Sequence, residues 1–182
     1  VKKLGCGGTS SVFLAEHLSV GNLWAVKILP VTEEPAESPF KETDILKRLS
    51  HPMLPRITDV LTHGTNVCII MDFVRGRNLA ERLREDGPIP EPEVRAWLLQ
   101  LCDVLTYLHN QMPDAVIYRD LKPSNLIADD HGHLKLVDFG TARRYRNGDN
   151  LDTAYIGTQG YAAPEQYGFR QSDARTDIYN LG

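Results

Sequence analysis

The apolar positions of this chain change their period part-way along it. In the first third they come in strand-length runs. Val12-Phe13-Leu14-Ala15 and Leu23-Trp24-Ala25-Val26-Lys27-Ile28-Leu29 flank Gly21-Asn22, a good turn pair, and predict strands. Thr32 to Pro39 carries three acids and two prolines and reads as a loop. Phe40 to Leu49 places apolar residues at 45, 46 and 49 between charges, which is helical spacing, and His51-Pro52 ends that helix. Val67 to Phe73 is an apolar run of strand length, and Gly64-Thr65-Asn66 before it makes a hairpin turn.

Around Val74-Arg75-Gly76-Arg77 the character changes. Pro92 to Asn110 predicts a long amphipathic helix, with apolar residues at 94, 97, 98, 101, 104, 105 and 108. Two short strands follow, Leu126-Ile127-Ala128 and Leu134-Lys135-Leu136-Val137, joined by Asp129-Asp130-His131-Gly132. From Arg143 to Asp152 the chain is polar and without periodicity, and it reads as a mobile loop. Strands before and helices after predict an α+β chain in two parts, 1–74 and 75–182, with a site in the cleft between them.

Composition narrows the function. A chain of 182 residues, 42% hydrophobic, can bury one sizeable core or two small ones. A net charge of −4 speaks against a nucleic-acid partner. The uninterrupted apolar runs are only a few residues long, so neither a transmembrane helix nor a signal peptide is predicted. Three widely spaced cysteines, Cys6, Cys68 and Cys102, fit no disulfide framework and no zinc spacing, which makes a reducing cytoplasm the default location. His131-Gly132-His133 lies in a polar turn without further ligands and reads as a plain turn.

The residues able to do chemistry are concentrated in a few short segments. Residues 118–125 read Tyr-Arg-Asp-Leu-Lys-Pro-Ser-Asn, and Asp138-Phe139-Gly140 begins thirteen residues after Asn125. Asp120 is a carboxylate able to orient a hydroxyl and take its proton. Lys122 is an ammonium able to hold a phosphate. Asn125 and Asp138 offer oxygens to a hard cation such as Mg²⁺. Phosphoryl transfer needs these parts, because its catalysis is mostly positioning plus charge neutralisation. Upstream, Leu4-Gly5-Cys6-Gly7-Gly8-Thr9-Ser10-Ser11-Val12 is a glycine-rich turn whose backbone could approach phosphates closely. Lys27 ends an apolar stretch and needs a partner there; Glu42, on the helix that follows, is the predicted one.

This order of segments, continued by Ala163-Pro164-Glu165, resembles the eukaryotic-like serine/threonine protein kinases along nearly the whole chain. The resemblance implies a bilobal fold, with a small antiparallel β-sheet lobe carrying one helix and a mainly helical large lobe. It also implies ATP and Mg²⁺ as cofactors and proteins with Ser/Thr acceptors as substrates. Leu4, Gly5, Gly7, Gly8, Ser10 and Val12 would cover the phosphates, with Ser10 where the family has a third glycine. Lys27 would hold the α- and β-phosphates and Glu42 would fix Lys27. In the hinge-like Ile70-Met71-Asp72-Phe73-Val74, adenine would bond to the Asp72 carbonyl and the Val74 amide. Met71 would gate the pocket behind the ring, and Ala25, Val12 and Ile127 would sandwich it.

In the second part the resemblance makes Asp120 and Lys122 catalytic and Asn125 and Asp138 metal ligands. Lys122 resembles the serine/threonine rather than the tyrosine kinases. Tyr118 replaces the family's usual histidine and should pack under Phe139. Arg119 and Arg143 would receive a phosphate on Thr153, or less favourably Tyr155, unless Asp152 fills their pocket. Thr158 resembles the threonine that bonds the catalytic Asp and Lys, and Asp177 would brace the loop backbone. The Tyr118-to-Asn125 form looks bacterial. Within the resemblance the chain stops inside the central helix of the large lobe, which would leave Glu165 without its usual arginine and apolar surface open to self-association. Two other functions stay open: a nucleotide-binding but inactive scaffold, and a small-molecule phosphotransferase with a related Asp-x-x-x-x-Asn loop. Lys122 and Ala163-Pro164-Glu165 argue against the second.

Overall fold

The computed structural model describes residues 1–6, 10–31, 40–145, 157–168 and 170–182. Two compact units account for them. The first comprises Val1–Ser50 and Leu54–Arg75, and the second His51–Met53 and Gly76–Gly182.

The first unit is an antiparallel sheet with one helix. Its strands are β1 (Lys2–Cys6), β2 (Ser11–Glu16), β3 (Leu23–Pro30), β4 (Ile57–His63) and β5 (Asn66–Asp72), in the spatial order β1-β2-β3-β5-β4. Alternation along β5 turns Val67, Ile69 and Met71 to one face, where they bury with Ala25 against Val12, Leu29, Ile57 and Val60. The register places Lys27 opposite Val12 on one side and Ile69 on the other, so its side chain shares the buried face with Ala25. Helix α1 (Phe40–Leu46) stops three residues short of the predicted Leu49. Beyond it the amides of Arg48 and Leu49 bond three residues back, to Ile45 and Leu46, which tightens the last turn. Strand β4 was not predicted. It is an edge strand with a register shift between Ile57 and Asp59, and its thin apolar pattern hides it.

The second unit is built on α3 (Glu91–His109), which buries Trp97, Leu101, Val104, Leu105 and Leu108. Pro92 lies in its first turn, where a missing N–H costs nothing. The stripe is narrower than the sequence pattern, because Val94 and Leu98 remain more than a third exposed. Helix α2 (Leu79–Asp86) starts on a capping box in which Asn78 and Glu81 satisfy each other's backbone amides. Strands β6 (Arg77–Asn78), β8 (Leu126–Ala128) and β9 (Leu134–Leu136) form one small sheet in the order β6-β8-β9. Gly76, at φ +130°, lets β6 approach, since a Cβ there would lie 2.3 Å from the Ala128 carbonyl oxygen. The His131–His133 turn is closed by Asp129, whose Oδ1 accepts the amides of both histidines.

Residues 143–145 correct the expectation of a loop from Arg143 onward. They form β10 (Arg143–Tyr145), paired antiparallel with β7 (Ala115–Ile117). Helix α4 (Ala174–Leu181) is capped by Asp173. Among the described residues no helix is long and apolar enough to cross a membrane.

Candidate active site

In the first unit the predicted pair forms. Lys27 Nζ lies 2.6 Å from Glu42 Oε2, and the two residues are 4% and 5% exposed. Ala25 and Met71 belong to the same buried face, and Val12 packs against it. Asp72 ends β5 with its carboxylate accepting from the Arg56 amide and Nε. Leu4 and Gly5 lie on β1, where Gly5 pairs with Val12. Gly7 and Gly8 lie outside the described residues, as do Asp152, Thr153 and Tyr155.

In the second unit Asp120, Lys122, Asn125 and Thr158 come together. The chain enters through β7, turns at Arg119 (φ +70°), and leaves through a 3₁₀ turn at Pro123–Asn125 into β8. Asp120 is nearly buried, and each carboxylate oxygen has partners. Oδ1 accepts from the Thr158 hydroxyl at 2.8 Å. Oδ2 accepts from Asn125 Nδ2 at 2.9 Å and lies 2.7 Å from Lys122 Nζ. Lys122 also donates to Thr158 Oγ1 at 2.6 Å. The Thr158 hydroxyl therefore bridges the acid and the cation.

Both Nδ2 contacts of Asn125, to the carbonyl and to the carboxylate of Asp120, identify that branch of its amide as the nitrogen. The other branch is thus a carbonyl oxygen, a ligand type suited to a hard cation. Asp138, at φ +64°, is exposed and accepts the Gly140 amide. One amide oxygen and one carboxylate are a donor set that fits Mg²⁺ sharing its remaining positions with phosphate and water, and not a metal held wholly by protein. Among the described residues no cluster of three or more His, Cys, Asp or Glu offers such a cage.

The loop is held from beneath. Asp177, fully buried on α4, accepts the amides of Tyr118 at 2.9 Å and Arg119 at 2.7 Å. Its Oδ2 also lies 2.8 Å from His109 Nε2, a partner that the sequence did not single out. Tyr118 packs edge-on against Phe139 at 5.0 Å between ring centroids, and its hydroxyl donates to the Val137 carbonyl. Burial pushes the Tyr118 phenol well above its ordinary range, and the charges of Asp138 and Asp120 push the same way. Arg119 is buried and its Nε donates to the Thr141 carbonyl; Arg143 pairs with Ile117 where β10 meets β7. Glu165 accepts a 2.6 Å hydrogen bond from the Thr176 hydroxyl. Ile127 lies on β8, half-buried.

A short sheet carrying a buried Lys–Glu pair, and a helical unit carrying an Asp–Lys–Asn loop beside a second acid, define a phosphotransferase-like class. Residues 1–182 match the protein kinase domain over their whole length. Sperm motility kinase 2B of Mus musculus is 32% identical over 183 residues, covering 100% of this chain and 37% of its own. The probable serine/threonine-protein kinase KIN1 homolog of Encephalitozoon cuniculi is 32% identical over 193 residues, 100% of this chain and 33% of its own. Ribosomal protein S6 kinase alpha-6 of Danio rerio is 32% identical over 188 residues, 100% of this chain and 25% of its own. The chain belongs to the protein kinase family. It spans roughly a quarter to a third of the length of these relatives.

Proposed function

We propose that these residues form the catalytic region of an ATP- and Mg²⁺-dependent protein serine/threonine kinase. The observation that carries this reading is the cluster in which Thr158 joins Asp120 to Lys122. It sets a carboxylate and an ammonium side by side, one for an acceptor hydroxyl and one for a phosphoryl group. Magnesium-bound ATP supplies the phosphoryl group and the charge that offsets its oxygens. Asn125 and Asp138 would hold the metal, and Lys27, fixed by Glu42, would hold phosphate oxygens. Asp120 would orient the acceptor hydroxyl and receive its proton as its oxygen bonds to the γ-phosphorus and the bond from that phosphorus to the bridging oxygen breaks, ADP leaving with the electron pair. Lys122 neutralises charge on the group in transfer and keeps the Asp120 carboxylate in place.

Serine/threonine acceptors fit Lys122 and Thr158, and one relative, a probable serine/threonine-protein kinase, points the same way by its name, while the name of another, ribosomal protein S6 kinase, points to a protein as substrate. The adenine contacts of Asp72 and Val74, with Met71 behind the ring, belong to the same proposal. So does regulation through Arg119, Arg143 and a phosphate on Thr153. The test is labelled ATP with a generic Ser/Thr protein, run beside an aminoglycoside. Transfer to protein hydroxyls alone is expected. Transfer to the aminoglycoside, or nucleotide binding without transfer to either, would overturn the reading.

A further inference from the structure

Gln166 follows Ala163-Pro164-Glu165 and has no counterpart among the groups that handle phosphate, yet it is completely buried. Its amide is used at both ends. Nε2 donates to the Arg119 carbonyl at 2.6 Å, and Oε1 accepts from the Ala163 amide at 2.9 Å and from Asn180 Nδ2 at 3.2 Å. Asn180 Nδ2 in turn donates to the Tyr161 carbonyl at 2.6 Å. Gly157 lies against the same side chain. At φ +130°, a Cβ there would come within 2.8 Å of Gln166 Nε2. One amide thus touches the loop before Asp120, the segment from Gly157 to Ala163, and α4.

The position of the first contact gives it weight. Arg119 has φ +70°, a conformation unfavourable for a non-glycine residue that lasts only where its surroundings enforce it. Asp177 holds the N–H of Arg119, and Gln166 holds its C=O. The peptide that Gln166 grips is the one leading into Asp120. Asp120 and Lys122 meet Thr158, which neighbours Gly157, so Gln166 and Thr158 tie the same two stretches of chain together at separate points.

We propose that Gln166 is a positioning residue for phosphoryl transfer, setting the Arg119–Asp120 peptide against the segment that carries Thr158. This rests on the kinase reading above, and the experiment separates the two. In the full-length protein, Gln166→Glu keeps the acceptor oxygen and removes the donor to Arg119. Gln166→Met removes both without adding charge. Hydrogen–deuterium exchange of peptides spanning 118–125 needs no activity, and faster exchange is expected there in both variants, with β5 unchanged. In the kinase assay the expected result is a kcat about tenfold to a hundredfold lower with nucleotide Kd within about threefold, as for a catalytic group displaced by a fraction of an ångström to an ångström. Unchanged exchange at 118–125 in folded Gln166→Glu protein, with kcat within about twofold of wild type, would overturn the proposal. An inactive wild type whose loop still exchanges faster on substitution would overturn the kinase reading and support the role of Gln166 in holding the loop.

Discussion

The Asp177 carboxylate lies 2.7 Å from the backbone amide of Arg119, fifty-eight residues earlier in the chain. A second amide, that of Tyr118, bonds to its other oxygen. All three residues are buried. Asp177→Ala leaves two buried donors without this acceptor, and each orphaned group costs about 1–3 kcal/mol. A loss of roughly 2–5 kcal/mol in urea-induced unfolding is expected, with Asp177→Asn in between because it keeps one acceptor oxygen. A loss under about 1 kcal/mol would mean the amides find other partners.

Lys27 and Glu42 pair out of water, so stability and activity should separate there. Lys27→Met strands a buried carboxylate and is expected to cost about 3–5 kcal/mol. Adding Glu42→Leu removes the stranded charge, and the double variant should melt above Lys27→Met. Phosphoryl transfer should stay at least ~10²-fold down in both, because the ammonium proposed for the α- and β-phosphates is gone while only Lys122 remains for the group in transfer. Full activity in the double variant would remove Lys27 from the site.

Thr158 is tested by shape against hydroxyl. Thr158→Val keeps the volume but neither bonds Asp120 nor receives Lys122, and kcat is expected to fall about tenfold or more. Thr158→Ser keeps the hydroxyl and should lie within about threefold of wild type. Equal losses in the two would assign the residue to packing.

The metal reading predicts a coupled ligand. The rise in Tm produced by ATP should grow when Mg²⁺ is added and shrink again with EDTA, since stabilisation follows affinity for the folded state. In Asp138→Ala the Mg²⁺-dependent part should vanish. Unaltered Mg²⁺-ATP affinity in that variant would reject Asp138 as a ligand.

Asp173 gives a pH signature. Its carboxylate accepts the Arg175 amide at the start of α4, and the Arg175 guanidinium beside it holds its titration below the usual carboxylate range. A lowered folded pKa means the contribution is complete above the unfolded value, about 3.9, and fades as pH falls through the folded one. Asp173→Ala should therefore cost about 1 kcal/mol at neutral pH and progressively less in acid. A penalty that stays constant into strong acid would argue against a charged cap.

What the sequence made legible follows from which forces act locally. Leu23–Pro30 and Glu91–His109 came within one or two residues, because an apolar strand and an amphipathic helix each carry their own pattern. β4 and β10 did not. Ile57–His63 is an edge strand that presents Thr58, Asp59, Thr62 and His63 to solvent, and Arg143–Tyr145 is polar throughout. β10 exists through backbone pairing to β7, which no local window contains, whereas β4 pairs with β5 across the Gly64-Thr65 turn and is hidden by its own solvent-facing pattern. The site behaves the same way. Asp120, Lys122 and Asn125 are spaced by their own loop, whereas His109 and Gln166 matter through contacts 68 and 47 residues away, which composition and periodicity do not record.

The three residues His51–Met53 belong with the second unit although the chain returns to the first for another twenty-two. The Met53 carbonyl receives the Leu136 amide, Lys135 Nζ reaches the Pro52 carbonyl, and His51 Nε2 meets Asp103. The two units are therefore not consecutive in the gene. A chimera joined at Arg75 would bring its second unit a foreign 51–53 strip, and grafting would succeed only when that tripeptide travels with the strand β9 and helix α3 that it touches.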